Sequence, residues 1–410
     1  MRPRLLLATA SAAVAASTAF AQQAIPLSIE TIGNAQRLVI YAGINGDVPH
    51  PYLFDTGSSG FNAAFYDGPY SGPGSNPTAW SSTSTLSTNA TASYGTPAQG
   101  FSYVLNAVTV PSIQIYSKLN LATPAMTLTA TDTNPGSTGF IIGQVTNQTF
   151  NNGDPSSFQA NLAAGLPPLS SGLYGTFGAS LFTGNVTNGS APYVNASVLG
   201  QSTTTGWAVV ANTGTSSAQA ILGLNSAIRS QFASQVAWTA TGAVPFPNSN
   251  AIGSTEFGGG KFDFELSGGG NSPVNWTSDT LLDAGTQNNN LNFTGDQIHL
   301  DPYESSSPQV DANYTISATG ITPGSGTYSF VTTTGVSPVT YEANVGSNKT
   351  HSTVGIGFFL NNSVAFDLEN QQTLYTSNVV AVPEPATAAL AGWALAGTAA
   401  LALLRRRQRR

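Results

Sequence analysis

Between residues 22 and 381 the apolar side chains come in short runs interleaved with Thr, Ser and Asn. In stretches such as Lys261–Leu266 and Tyr328–Thr333 they alternate with polar neighbours. A period of two places every second side chain on one face, so these runs predict half-buried strands. Clusters of Gly, Pro and Asn interrupt them at short intervals, as strand-and-turn architectures require; the chain has 43 Gly and 24 Pro. Helical periodicity is scarce, and Asn225–Val236 is the best short candidate. Trp80–Ala92 is mostly Ser, Thr and Asn, yet large apolar residues recur throughout, so a folded body is expected rather than disorder. The pattern predicts an all-β protein without a fixed-period repeat.

The two ends follow another logic. Met1-Arg2-Pro3-Arg4 precedes an apolar run from Leu5 to Phe20, and Ala19-Phe20-Ala21 has the small residues of a cleavage site. This predicts a secretory signal peptide over residues 1–21, with Gln22 opening the mature chain. At the other end, Val382-Pro383-Glu384-Pro385 leads into an apolar stretch, Ala386–Leu404. Arg405-Arg406-Arg407-Gln408-Arg409-Arg410 closes it. Nineteen residues are long enough to span a bilayer, with the arginines held on the cytoplasmic side. The order Pro-Glu-Pro, apolar helix, arginine cluster resembles the PEP-CTERM sorting tail of Gram-negative bacteria. That resemblance implies handling by an exosortase-type sorting enzyme and delivery to the cell surface or extracellular matrix.

Composition removes whole classes of chemistry. There is no Cys, hence no disulfide framework, thiolate metal site or catalytic cysteine. Of twelve Lys and Arg, only Arg37, Lys118, Arg229, Lys261 and Lys349 lie in the body. Against them stand eighteen Asp and Glu between residues 22 and 383, a net charge of −13. Such a body offers no footprint for nucleic acid. His50, His299 and His351 fit no short-spaced metal motif, so no metal and no cofactor are expected. Neither a Gly-X-Ser-X-Gly elbow nor a phosphate-binding glycine loop occurs.

Two short motifs carry candidate chemistry. In Tyr52-Leu53-Phe54-Asp55-Thr56-Gly57-Ser58-Ser59-Gly60 an apolar strand runs into Asp-Thr-Gly-Ser. A glycine after the acid lets the backbone turn tightly and bring amides to the carboxylate, and Ser58 can donate a hydrogen bond to it. Alone this is an ordinary turn after a strand. The pattern returns 228 residues later in Thr280-Leu281-Leu282-Asp283-Ala284-Gly285-Thr286. Two carboxyls placed face to face cannot both ionise: they share a proton, one acting on water as a base while the other donates to a carbonyl.

With both half-sites in hand, the chain resembles the pepsin-like aspartic proteases. Ser93-Tyr94-Gly95-Thr96, with Tyr94 39 residues after Asp55, is similar to the family's flap, and Ser81–Thr85 to the stretch before it. Val354–Leu360 followed by Val364–Asn370 is similar to the final strands of the C-terminal lobe. The N-lobe counterpart of that element is either Gly172–Ala179 or Phe140–Gly143. Three departures stand out. Ala284 replaces the usual Thr or Ser, so only Thr56 keeps its half of the hydroxyl cross-bonding between the loops. No Trp follows the first loop, which continues Ser59-Gly60-Phe61-Asn62. Finally, the gap between the acids implies surface insertions such as Gln144–Pro168. Ala211–Thr215 looks like a third half-site with Asn212 in place of the acid, and is read as structural, as are Asp367 and Glu369.

The resemblance implies a bilobal all-β fold with a cleft between an N-terminal lobe, residues 22–208, and a C-terminal lobe, residues 209–381, followed by the 382–410 tail. Asp55 and Asp283 are then the catalytic acids. Gly57, Ser58, Gly285, Thr286 and Tyr94 line the substrate site, with Ser58 and Thr286 holding the outer carboxylate oxygens and Tyr94 closing over an extended peptide. The implied protein is an exported monomeric endopeptidase acting on peptides or proteins. Two other readings compete with it: a catalytically degenerate binding protein on the same scaffold, and an unrelated β-sandwich adhesin in which both acids are accidental.

Overall fold

The computed structural model describes residues 22–381 except 34, 95–99, 131–138, 151, 153–155, 170, 187–192, 239–244, 248–257, 269–270, 287–288, 294–314, 321–326, 332–338 and 344–350. The expected signal peptide and sorting tail lie outside the described residues. Gln23–Pro383 forms one compact unit. Among the described residues no helix is long and apolar enough to cross a membrane.

The fold is all-β. One mixed sheet of fifteen strands runs from Ser234–Ala237 at one edge to Ser84–Tyr94 at the other, and a second sheet of seven strands carries the later part of the chain. The large sheet crosses the expected lobe boundary at 208, because Trp207–Val210 and Ser217–Leu222 bridge the first strand to the last ones. In the low-complexity stretch, Ser87 and Ala90 turn inward while most neighbours face out, so Thr- and Asn-rich sequence forms an edge strand. The Gln144–Pro168 stretch is more than a surface insertion. Its helix Phe158–Ala163 buries Phe158 and Leu162 against Tyr103, Leu105 and Val145.

The same local design occurs twice. His50–Asp55 pairs in parallel with Gly175–Gly178, setting Asp55 level with Gly178. Asn271–Leu282 pairs in parallel with His351–Val354, setting Leu282 level with Val354. The N-lobe counterpart of the Val354-Gly355 element is therefore within Gly172–Ala179. Phe140–Phe150 pairs instead with Phe61–Ala64 and Phe101–Val110. Phe54, Phe177, Leu282, Val354 and Phe358 belong to one core, so both acid-bearing strand ends are anchored in the same apolar mass.

Two readings need correction. Val354–Leu360 is not all strand: after His351–Val354 the chain forms a helix, Ile356–Asn361, because Phe358 and Phe359 turn into the core on consecutive positions. The helical stretch near Asn225 is only one turn, Ser226–Arg229, capped by the Asn225 side chain accepting from the Ile228 amide at 2.9 Å. Arg229 at its end donates to buried Asp367 through Nε and Nη2, at 2.9 and 3.0 Å, and pairs with Glu369 at 2.7 Å. Both acids are thus structural. So is Asn212, which donates to the Ser377 carbonyl and accepts from Ser363.

Candidate active site

Each acid sits where a buried strand ends and a tight loop begins. In the first loop the Gly57 amide donates to Asp55 Oδ1 at 2.8 Å, and Ser58 Oγ donates to Asp55 Oδ2. Behind it, the Ala179 amide donates to the Asp55 carbonyl at 2.7 Å and the Ser180 amide to the Ser58 carbonyl at 3.0 Å. The second loop mirrors the first. The Gly285 and Thr286 amides donate to Asp283 Oδ1 at 2.8 and 3.1 Å, and the Asp283 amide donates to the Val354 carbonyl at 2.9 Å. Thr286 thus holds Asp283 through its amide rather than its hydroxyl, a correction to the hydroxyl role expected from the motif. The second loop presents its backbone, not the Thr286 side chain, to the carboxylate.

The two loops bring their carboxyls together, close enough for the charge of Asp55 to act on Asp283. The glycines explain how they come so close. A Cβ on Gly57 would lie 2.5 Å from Asp283 Cγ, and one on Gly285 closer still to Asp55 Cγ. Each glycine therefore makes room for the opposite acid, a requirement more specific than the tight turn its sequence suggests. Burial of its carboxyl pushes Asp283 well above the usual carboxylate range, and the charge and hydrogen bond of Asp55 push the same way. The Gly285 and Thr286 amides pull it down, but more weakly. The pair can hold one proton on Asp283 where an ordinary Asp has lost it.

The loops are tied across the pair by Thr56. Its hydroxyl donates to the Leu282 carbonyl at 2.7 Å and accepts from the Ala284 amide at 2.8 Å. Ala284, fully buried, offers no hydroxyl in return. The cross-bonding is one-sided, as its sequence implies.

Tyr94 ends the hairpin strand Ser84–Tyr94, on the last rung with Phe101. Gly95 and Thr96 lie outside the described residues. The Tyr94 ring stacks on Phe101 and meets Tyr103 edge-on. Its hydroxyl accepts from Asn62 Nδ2 at 2.6 Å, and burial raises its pKa, with the Asp55 charge adding to the rise. The hairpin thus brings Tyr94 beside the first acid. Asn62, seven residues after Asp55, was missed as a site residue; its place in the loop missing a Trp was the available signal. Asn62→Ala removes the donor to Tyr94 and should destabilise the fold by about 1 kcal/mol in urea unfolding. An unchanged midpoint would mean that the ring stack alone holds the hairpin.

The second missed residue is Arg37. The ladder between Ala35–Ile44 and His50–Asp55 runs from Ala42↔His50 to Val39↔Leu53. The pairing stops there; continued by two rungs, the same register points Arg37 toward Asp55, on the face opposite the core side chains Leu38 and Ile40. Burial works against the Arg37 charge, and the carboxylates of Asp283 and Asp55 sustain it. Of the histidines, His50 stacks on Tyr174 with its Nε2 3.0 Å from the Pro77 carbonyl, away from the acids. Among the described residues no three His, Cys, Asp or Glu side chains are grouped to hold a metal ion.

No family model matches this chain. No curated protein matches it either. Among solved structures it is similar to the aspartic proteinase from Irpex lacteus, with a TM-score of 0.48 and 11% identity over 88% of this chain and 98% of that one. It is similar also to Basic 7S globulin from soybean, with a TM-score of 0.48 and 11% identity over 87% and 97% of the two chains.

Proposed function

We propose that this protein is an aspartic endopeptidase in which Asp55 and Asp283 share one proton and together activate a water. The observation that carries the reading is the pair itself: two carboxyls brought together at matching strand ends, each held by the amides of its own loop, with burial and Asp55 pushing the pKa of Asp283 up. Asp55, bound by the Gly57 amide and the Ser58 hydroxyl, is the base toward water. Asp283 donates its proton to the peptide carbonyl. Attack gives a tetrahedral intermediate, and the proton taken from water passes to the leaving amine, so no covalent enzyme intermediate and no metal are required. Tyr94 covers the bound peptide from the hairpin, and the chain acts as a monomer after export. The sorting tail directs the body to the cell surface of a Gram-negative bacterium.

A second reading has one observation in its favour. Ala284 leaves the cross-bonding one-sided, which suits a scaffold that binds peptide without cutting it. Incubating an unfolded protein with the purified full chain from pH 3 to 7 separates the two. The peptidase reading expects acid-favoured cleavage that pepstatin blocks. A folded sample that binds pepstatin but cuts nothing would establish the binding protein instead.

A further inference from the structure

Arg37 is poorly explained as a structural cation. Its cross-strand neighbour is Glu30, the natural partner for an ion pair. That carboxylate is already committed: it accepts from Ser28 Oγ and from Tyr41 OH, and pairs with Lys118 Nζ at 3.0 Å. The charges that act on Arg37 are instead those of Asp283 and Asp55. There the Asp55 and Asp283 oxygens take their hydrogen bonds from Gly57, Ser58, Gly285 and Thr286, not from the guanidinium. Arg37 Nη1 is buried and has no hydrogen-bond acceptor among the described residues. An enclosed N–H without an acceptor is costly, and a guanidinium carries five donors in a planar fork that matches a carboxylate.

We infer that Arg37 is a specificity-determining residue that receives an acidic side chain of the substrate beside the scissile bond. The inference rests on reading the Asp55–Asp283 pair as a peptide site. Three placements support it. The strand register, continued two rungs past its last pair, carries Arg37 toward Asp55 on the same face, so a chain lying over the acids passes close to the guanidinium. Its cross-strand acid, Glu30, is engaged elsewhere. In a body of net charge −13, a cation near the acids gives an acidic residue of the substrate a place where it is attracted rather than repelled.

The test uses octapeptides acetylated and amidated at their ends, carrying Glu at one position on either side of a central Phe-Leu, and the matching Gln peptides. Affinities are measured on the full chain in an Asp55→Asn background, and kcat/KM on the parent chain. At pH 6 one Glu peptide should bind about tenfold more tightly than its Gln partner, the scale of one charge-assisted hydrogen bond. Arg37→Met should bring that ratio close to one, and Arg37→Lys should restore part of it. In the unsubstituted chain the ratio should also fall toward one below about pH 4.3, as the peptide Glu takes up its proton. This arm keeps the inference testable if the Met variant fails to fold. A ratio of one at pH 6, binding of neither peptide, or an equal ratio with and without Arg37 would overturn it. Preferential binding without cleavage would sink the peptidase reading and leave Arg37 its role. Cleavage without preference would do the reverse.

Discussion

Asp283→Asn is expected to lower peptide turnover by about 10²–10⁴-fold and to make the fold more stable at neutral pH. The loss of turnover follows from the proton: a side-chain amide in place of the carboxyl cannot pass one to a substrate carbonyl and take it back. The gain in stability follows from linkage. Burial and the nearby Asp55 raise the folded-state pKa of Asp283, whereas in the unfolded chain it titrates near about 3.9. Below that value the carboxyl is protonated in both states and costs nothing. As pH rises toward the folded pKa, the unfolded chain releases the proton and the folded one holds it, so stability falls until the folded group also ionises. An amide has no proton to release. It also keeps Oδ1 as acceptor for Gly285 and Thr286 and gains an N–H to offer Asp55. Thermal denaturation of both proteins at pH 3.5, 5 and 7 should therefore show a gap opening in favour of the variant. Parallel curves across that range would mean that Asp283 is not held protonated, and the division of roles between the acids would fall with it.

Thr56→Val should destabilise the protein by about 2–4 kcal/mol. The side chain is buried and valine nearly fills its volume, so packing changes little. What is lost is a donor to the Leu282 carbonyl and an acceptor for the Ala284 amide, both in the loop that carries Asp283. Two enclosed backbone groups without partners account for the magnitude, at about 1–3 kcal/mol each. A hydroxyl at position 284 would have supplied a second tie; here Thr56 brings the only hydroxyl to the pair of positions 56 and 284. Urea unfolding at constant m-value measures the effect. A shift under about 1 kcal/mol would show that the shared core around Phe54 and Leu282 holds the loops without the cross-bond.

Much of the site was legible before any coordinates, because it is built from local pattern. A strand ending in Asp-X-Gly specifies an acid at a buried edge with amides turned toward it, and the chain carries that pattern at Asp55 and again at Asp283. The roles of Ser58 and Thr56 follow from the same few residues. Thr286 was misjudged because a hydroxyl residue in a tight turn can use either its side chain or its amide, and the turn geometry decides which. Phe358-Phe359 in a β-rich chain could be strand or helix, and only the core they enter resolves the choice.

The all-β class, the two acidic half-sites, the glycine after each and the missing hydroxyl at Ala284 are all visible in the order of residues alone. These are matters of side-chain period and local backbone chemistry, which act over a few residues. Tertiary structure decided that Asp55 and Asp283 meet, that each glycine yields space to the opposite carboxyl, that Asn62 holds Tyr94, and that Arg37 stands beside the pair. Those facts depend on register between strands far apart in the chain, and register is set by which faces share a core rather than by any residue's neighbours.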